Sequence, residues 1–389
     1  MSHTPSPLRH GLRWTTAGES HGPSLVALLE GLPVGFAVDF DAVRVGMKRR
    51  WQGYGRGPRA KFEQDQLDVL SGFKKGIALG TPVSLSVGNS DTRIDSLPNL
   101  KAPRPGHADL AGVMRAQNRD IRAVLERASA RETAARTAMG EIARQLLAQF
   151  GIEVRSQVLE IGGTAQGEGS DGEPAWNQTI QKAIDEGDSL GGVFEVQADG
   201  CPPGLGGLEQ PVDRLDARLM AALASIPAIK GVEIGLGFGG AGVPGSEYHD
   251  DIRIAPESAE AGEGVAPKVW AGIARGTNRA GGVEGGLATG QTIQLRAVMK
   301  PIPTLRRGLA SVELGTMTDS RATYERSDVC SVIPASIVGE AVVCLELASA
   351  LRARLGGFTL AEMKRAWQQL GSEQNPAEWP DGIEGCADL

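Results

Sequence analysis

The sequence predicts an α+β fold rather than a doubly wound one, and three observations carry that expectation. Segments alternating every second residue, as strands do, and segments with helical periodicity follow each other without strict strand–helix–strand order. Fifty-three glycines in 389 residues are scattered rather than spaced by three, which excludes a collagen-like chain and points to many tight loops. With 41% hydrophobic and 22% charged residues, the chain is an ordinary globular one, long enough for two domains or one large one.

Along the chain, Leu12–Thr16 and Ser24–Glu30 read as strands separated by the turn GESHG, residues 18 to 22. Asp41–Trp51 reads as a helix opening at an acidic cap. Gln66–Leu70 and Thr81–Val87 alternate or run apolar and are expected to be strands. Asn89–His107 has no periodicity and holds four prolines or glycines with three Lys/Arg, so it is a loop long enough to be functional. Ala130–Phe150 carries Ala138, Ile142, Leu146 and Phe150 on one helical face, and Gly151 follows as a stop.

Gly191–Gln197 and Gly231–Gly237 are strand-like, with a helix across Val212–Ala224 between them. Gly262–Gly290 is the glycine-richest stretch, and Gln291–Lys300 alternates as a strand closing on Pro301. Ser336 is the expected cap of a long last helix, with Arg352 and Arg354 at the negative end of its dipole and Gly356–Gly357 beyond. From about Gly371 the chain is polar and reads as a loose tail. There is no uninterrupted run of eighteen apolar residues and no apolar core for a secretion signal near the start, so no membrane contact and a cytoplasmic location are expected.

A net charge of −7 argues against nucleic acid as the partner. The distribution is uneven, because Arg44–Arg136 holds 18 Lys/Arg against 9 Asp/Glu. Those basic residues interleave with glycine and proline, as in RRWQGYGRGPR and RPGH. Such a pattern suits a loop-built pocket whose guanidinium forks grip phosphate or carboxylate. The four cysteines stand at no metal-like or redox-like spacing, and three of them read as small buried hydrophobes.

Five histidines occur, and His21, His107 and His249 lie in GESHG, RPGHAD and SEYHDD beside carboxylates or glycines. A histidine in such a loop either finishes a turn or serves as an acid/base group, since its charge changes near neutrality. No histidine pair has helical i, i+4 spacing, so no metal is expected. GESHG has the spacing of G-x-S-x-G but is not read as a nucleophile elbow, and the sequence lacks the phosphate loop GxxxxGK[ST] and a strand–GxGxxG–helix fingerprint with an acid about twenty residues on. LERASARETAAR, residues 125 to 136, reads either as a helix start favouring an anion or as a surface helix with ordinary charge pairs. MKPIPTL and ERSDVCSVIPA add a lysine at a strand end and an Arg–Ser–Asp turn.

Taken together, GESHGPSLVALLEGLP, RRWQGYGRG, DQLDVLSG, RPGHADLAG, LERASARETAAR, SIPAIKGVEIGLGF, GSEYHDDI, TNRAGGVEGGLATGQ, AVMKPI and RSDVCSVIPASIVGEA resemble the chorismate synthases, over residues 11 to 357. The resemblance implies a large single-domain β-α-β sandwich over residues 1–370 with a tail at 371–389, assembled as a homotetramer. It implies 1,4-anti elimination of phosphate from 5-enolpyruvylshikimate 3-phosphate to give chorismate. Reduced FMN is required but not consumed, and NADPH enters only as an indirect reductant. The phosphates and carboxylates of substrate and FMN would explain the basic segment.

By the same resemblance His21 donates a proton to the departing phosphate, His107 protonates the reduced flavin, and Asp328 assists proton loss from carbon six. Flavin contacts fall on Arg127, Ala128, Ser129, Pro227, Ala228, Gly285, Lys300, Pro301, Ile302, Pro303, Thr304 and Arg326. Arg50 and Arg56 match a pair that holds anionic substrate or NADP, and the substrate is favoured. The chain departs from the family's common pattern at Ala128, Ser327 and Pro303, which bears on flavin affinity rather than on the three acid/base residues. The alternatives are a flavin-dependent oxidoreductase acting on an anionic substrate and, more distantly, a non-catalytic anion-binding protein.

Overall fold

The structure is a computed structural model describing residues 11–57, 63–167, 169, 173–255, 270–325, 327–372 and 376–380. Strands β1 (Arg13–Ala17), β2 (Ser24–Glu30), β3 (Leu67–Ser71) and β6 (Val83–Gly88) form one antiparallel sheet in the order β1-β2-β6-β3. The hairpin β4 (Phe73–Lys74)/β5 (Ile77–Ala78) joins its last two strands. A second sheet takes β7 (Glu153–Ile161), β8 (Thr164–Ala165), β9 (Gly192–Asp199), β10 (Ile229–Ile234) and β15 (Ile293–Met299) in the order β10-β15-β9-β7-β8. Three further hairpins are β11 (Ile252–Ile254)/β12 (Ile273–Arg275), β13 (Val283–Glu284)/β14 (Leu287–Ala288) and β16 (Ala310–Glu313)/β17 (Thr318–Arg321). The helices are α1 (Phe40–Lys48), α2 (Asp109–Ala116), α3 (Ile121–Ala128), α4 (Thr133–Ala148), α5 (Trp176–Glu186), α6 (Leu215–Ala224), α7 (Gly245–Tyr248), α8 (Val332–Leu355) and α9 (Leu360–Ser372).

Alternation explains the layers. Leu25, Ala27 and Leu29 of β2 and Val83, Leu85 and Val87 of β6 turn one face of the first sheet onto α4. Phe194, Val196 and Ala198 of β9 turn the second sheet onto α8. Helices α4 and α8 pack on each other between the sheets, which gives a β-α-β sandwich. Their crossing needs bare backbone: a Cβ on Gly140 would lie 2.4 Å from that of Ala341. Helix α8 is apolar on nearly every side and could pass for a membrane span by length and composition. Instead, 83% of its most apolar window is buried here, as in a core helix.

One charged device sits inside the helical layer. Glu340 of α8 accepts two hydrogen bonds from Arg49 (2.6 and 2.9 Å), one from Arg144 (2.5 Å) and two from Ser156 (2.8 and 2.7 Å). Five donors satisfy a buried carboxylate and tie α1, α4 and β7 to the central helix.

Most strands lie within a residue or two of their expected positions, and several helices do not. Helix α8 starts at Val332 behind Ser331, so Ser336 is not its cap. Ser336 lies buried and donates to the Ile333 carbonyl (2.8 Å), and Pro334 is tolerated in a first turn whose N–H groups have no partner within the helix. Ala130–Glu132 is a 3₁₀ turn that leads into α4. Helices α2, α3, α5 and α9 lie outside the expected elements: α2 and α3 are eight residues each, too short for a periodic pattern, whereas α9 turns Leu360, Met363, Ala366, Trp367 and Leu370 onto the core. Helix α9 runs to Ser372, past the expected start of the tail, and Pro376–Glu378 adds one exposed turn. His3, His10, Cys386 and the remainder of the tail lie outside the described residues, while Cys201, Cys330 and Cys344 are buried thiols.

Candidate active site

The turn GESHG folds against the end of α3. The His21 backbone N–H donates to Glu126 Oε2 (2.7 Å), and the same residue's Nδ1 lies 2.9 Å from Oε1. Its Nε2 is 3.9 Å from Asp91, whose carboxylate Arg93 holds through two 2.8 Å bonds. Those bonds from Arg93 outweigh burial and hold the Asp91 carboxyl down at about 2. Asn89 donates to the carbonyls of Glu19 (3.1 Å) and Gly22 (2.7 Å), so the long loop after β6 begins against this turn.

The same loop ends at the second histidine. His107 Nδ1 lies 2.5 Å from Asp109 Oδ1, and Arg104 grips both oxygens of that carboxylate at 2.7 and 3.0 Å. Burial pushes the Asp109 carboxyl upward, but the hydrogen bonds from His107 and Arg104 win and hold it well below the usual range. Arg104 also reaches Thr304 Oγ1 (3.3 Å). Gly106, at φ +80°, brings the loop under Pro303 and Lys300. Burial first, and then the neighbouring Lys230, push Lys300 below the ordinary lysine value.

Asp328 completes this side. It accepts from Arg56, from the Gly57 N–H (2.6 Å) and from Ser331 Oγ (2.8 Å). Trp51 lies under both Arg50 and Arg56, 5.5 and 5.7 Å from its ring centroid. Arg50 is buried and donates to Asp65 (3.0 Å) and Thr133 (3.1 Å). Arg131 shares Asp65, and also donates to Asn89 (2.6 Å), which ties this network back to the GESHG turn.

A network of arginines, carboxylates and two anchored histidines on loops of a β-α-β sandwich is what a phosphate- and carboxylate-bearing ligand requires. The family model described as chorismate synthase matches residues 12–351. The chain belongs to the chorismate synthase family. It is 46% identical to the chorismate synthase of Desulforudis audaxviator, over 90% of this chain and 95% of that one. It is 44% identical to that of Geobacter sulfurreducens, over 92% and 98%. A solved structure described as the crystal structure of chorismate synthase matches with a TM-score of 0.72 at 34% identity, covering 94% of this chain and 98% of that one.

The residues expected to form the family's site fall in two groups. His21, Arg127, Ala128 and Ser129 gather around the end of α3. There Arg127 reaches the carbonyls of Gly18 and Thr16 (3.3 Å each), and Ser129 Oγ accepts from the Arg131 N–H (3.3 Å). His107, Lys300, Pro303, Thr304, Asp328 and Arg56 gather around the loop after β15. Ser189 donates to the Ile302 carbonyl (2.6 Å). Pro227 and Ala228 join them, because the Lys300 N–H donates to the Ala228 carbonyl (3.0 Å). Pro301 is exposed at the rim. Helix α3 spans the groups, since its Arg122 pairs with Glu325 (2.7 Å).

Gly285 stands apart, in the β13/β14 turn beside the start of α6, while Pro227 follows its end about 15 Å of helix away. Arg326 lies outside the described residues. Exposed His249 is remote from both groups' hydrogen bonds. Two cavities, of about 480 and 660 Å³, lie away from both histidines; the larger is lined by Trp51 and Asp65, which touch the arginine network. Sequence reasoning missed Glu126, Asp109, Arg104 and Asp65. Only Asp109 and Arg104 carried a local signal, two and three residues from His107 in RPGHAD.

Proposed function

We propose that this chain catalyses the reaction of its family, the 1,4-anti elimination of phosphate from 5-enolpyruvylshikimate 3-phosphate to give chorismate. The observation that carries the reading is the pair of carboxylate-anchored histidines at the two ends of one basic loop. Each ring is held at Nδ1, which leaves Nε2 as the nitrogen for proton transfer. His21 Nε2 is assigned to the oxygen of the departing phosphate, and His107 holds its exchangeable proton at Nε2. Asp328 is assigned to assist loss of the carbon-six proton, and its three donors keep its carboxylate oriented.

The residues fit FMN. Arg56 Nε is buried without a partner, and Lys300 has no carboxylate against it among the described residues, so anion-binding capacity is left over. Lys300 to Thr304, Pro227, Ala228, Arg127, Ala128 and Ser129 would hold it, while Gly285, which stands apart from them, and Arg326 are assigned by sequence resemblance alone. When bound, reduced flavin supplies the electron-rich ring that promotes loss of phosphate without net oxidation. Arg50 and Arg56 each hold a carboxylate through Nη1 and each keep a buried Nε without a partner, so we assign both to the anionic substrate. The same reading carries the homotetramer and the cytoplasmic location of the family.

The test is an anaerobic assay with dithionite-reduced FMN. Equal amounts of phosphate and chorismate, released over many turnovers per flavin, are expected. One reduced flavin consumed per turnover would indicate an oxidoreductase instead, and no phosphate release would leave only anion binding.

A further inference from the structure

We propose that Glu126 is the positioning residue that sets the ring orientation and tautomer of His21. The inference rests on the proton-transfer role assigned to His21 above. Both oxygens of the Glu126 carboxylate serve one residue, Oε2 taking the His21 backbone N–H at 2.7 Å and Oε1 facing Nδ1 at 2.9 Å. The carboxylate is only 2% exposed; burial works against its charge, and the two hydrogen bonds from His21 outweigh it and hold the carboxyl below its usual value. Among the described residues its ion pair is with His21.

The rest of the α3 terminus has the same purpose. The Glu126 carbonyl accepts the Ser20 N–H (2.9 Å), and the next residue, Arg127, reaches the carbonyls of Gly18 and Thr16 on the other side. Consecutive side chains therefore grip both sides of GESHG. Asp91 is the other carboxylate near the ring, but it stands 3.9 Å from Nε2 and is pinned by Arg93. Orientation at Nδ1 thus falls to Glu126, and Nε2 is the nitrogen turned away from it. A carboxylate that holds Nδ1–H fixes which nitrogen carries the proton, and losing it misassigns the tautomer.

The experiment uses the full-length FMN-loaded enzyme and the Glu126→Gln variant. ¹⁵N NMR on histidine-labelled protein, with His21 assigned by its loss in His21→Gln, reads the tautomer. Expected is a change from a ring whose Nδ1–H is fixed on Glu126, with the proton that comes and goes at Nε2, to a mixture of Nδ1–H and Nε2–H neutral forms in Glu126→Gln. With it, kcat should fall by about 10²–10⁴-fold while KM stays within about threefold. Glu126→Asp, which keeps the charge one methylene shorter, should recover part of both signals. It also serves if the amide variant does not fold by near-ultraviolet circular dichroism. An unchanged tautomer overturns the proposal. So does full kcat in Glu126→Gln when His21→Gln is inactive. If His21→Gln itself turns over normally, the reaction role of His21 falls, and with it the positioning role.

Discussion

The two histidines present one side chain in two electrostatic settings. Both are 16% exposed, so burial does not distinguish them. A cation at His21 faces the carboxylates of Glu126 and Asp91. A cation at His107 faces one carboxylate that Arg104 already shares, with an Arg104 nitrogen 3.1 Å from Nδ1. Under the proposed function the first ring is assigned to the leaving phosphate and the second to the flavin. Neighbouring charge, rather than residue type or burial, distinguishes the two settings.

The largest expected effect is on turnover. His107→Ala should lower it by about 10²–10⁴-fold with the fold intact, measured as anaerobic phosphate release; near-normal rates would remove the division of labour. Next is stability. Asp109→Asn leaves Arg104 buried without its carboxylate and should cost about 3–5 kcal/mol in denaturant unfolding. Glu126→Gln strands no buried arginine and should cost less; equal losses would erase the contrast.

The third prediction concerns pH. The folded Asp109 value is depressed, so its contribution is complete above the unfolded carboxylate value of about 3.9 and is lost as pH falls through the folded one. The stability gap between the parent and Asp109→Asn should therefore narrow below about pH 4. Asp91, held down at about 2, should show the same sign on the His21 side, and a gap that widened on acidification would contradict both. Gly106→Ala comes next. At φ +80° a side chain is strained, and about 1–2 kcal/mol of stability should be lost, read as a lowered Tm. Smallest is Arg127→Ala, which should weaken FMN binding about tenfold in a flavin titration, and an unchanged titration would count against its assigned contact.

Legibility followed the range of the interaction. Strands β2, β6 and β15 could be read because their alternation is local and they bury one face. Helix α3 could not, since eight residues carry too short a pattern, although Asp120 caps it by accepting the Ala123 N–H (3.1 Å). At the site, histidines in glycine- and proline-rich loops marked themselves, and Asp109 stood two residues from its histidine. Glu126 did not, because it lies 105 residues from the ring it holds and looks in sequence like any acidic helix residue. Arg50 read as a substrate grip, but its ties through Nη1 and Nη2 to Asp65 and Thr133, 15 and 83 residues away, were not legible, nor was the buried Nε it leaves without a partner.

By itself the sequence determined the α+β class, the basic segment, the two loop histidines and the family. These follow from periodicity, composition and ordered motifs, which need no knowledge of where distant segments meet. The tertiary structure alone decided which carboxylate anchors each ring and that Arg56 meets Asp328 across 272 residues. It alone decided that Glu340 could be buried at the centre of the helical layer. The reason is physical: a charge acts within a few ångströms, and only packing of the two sheets on α4 and α8 fixes which charges come that close.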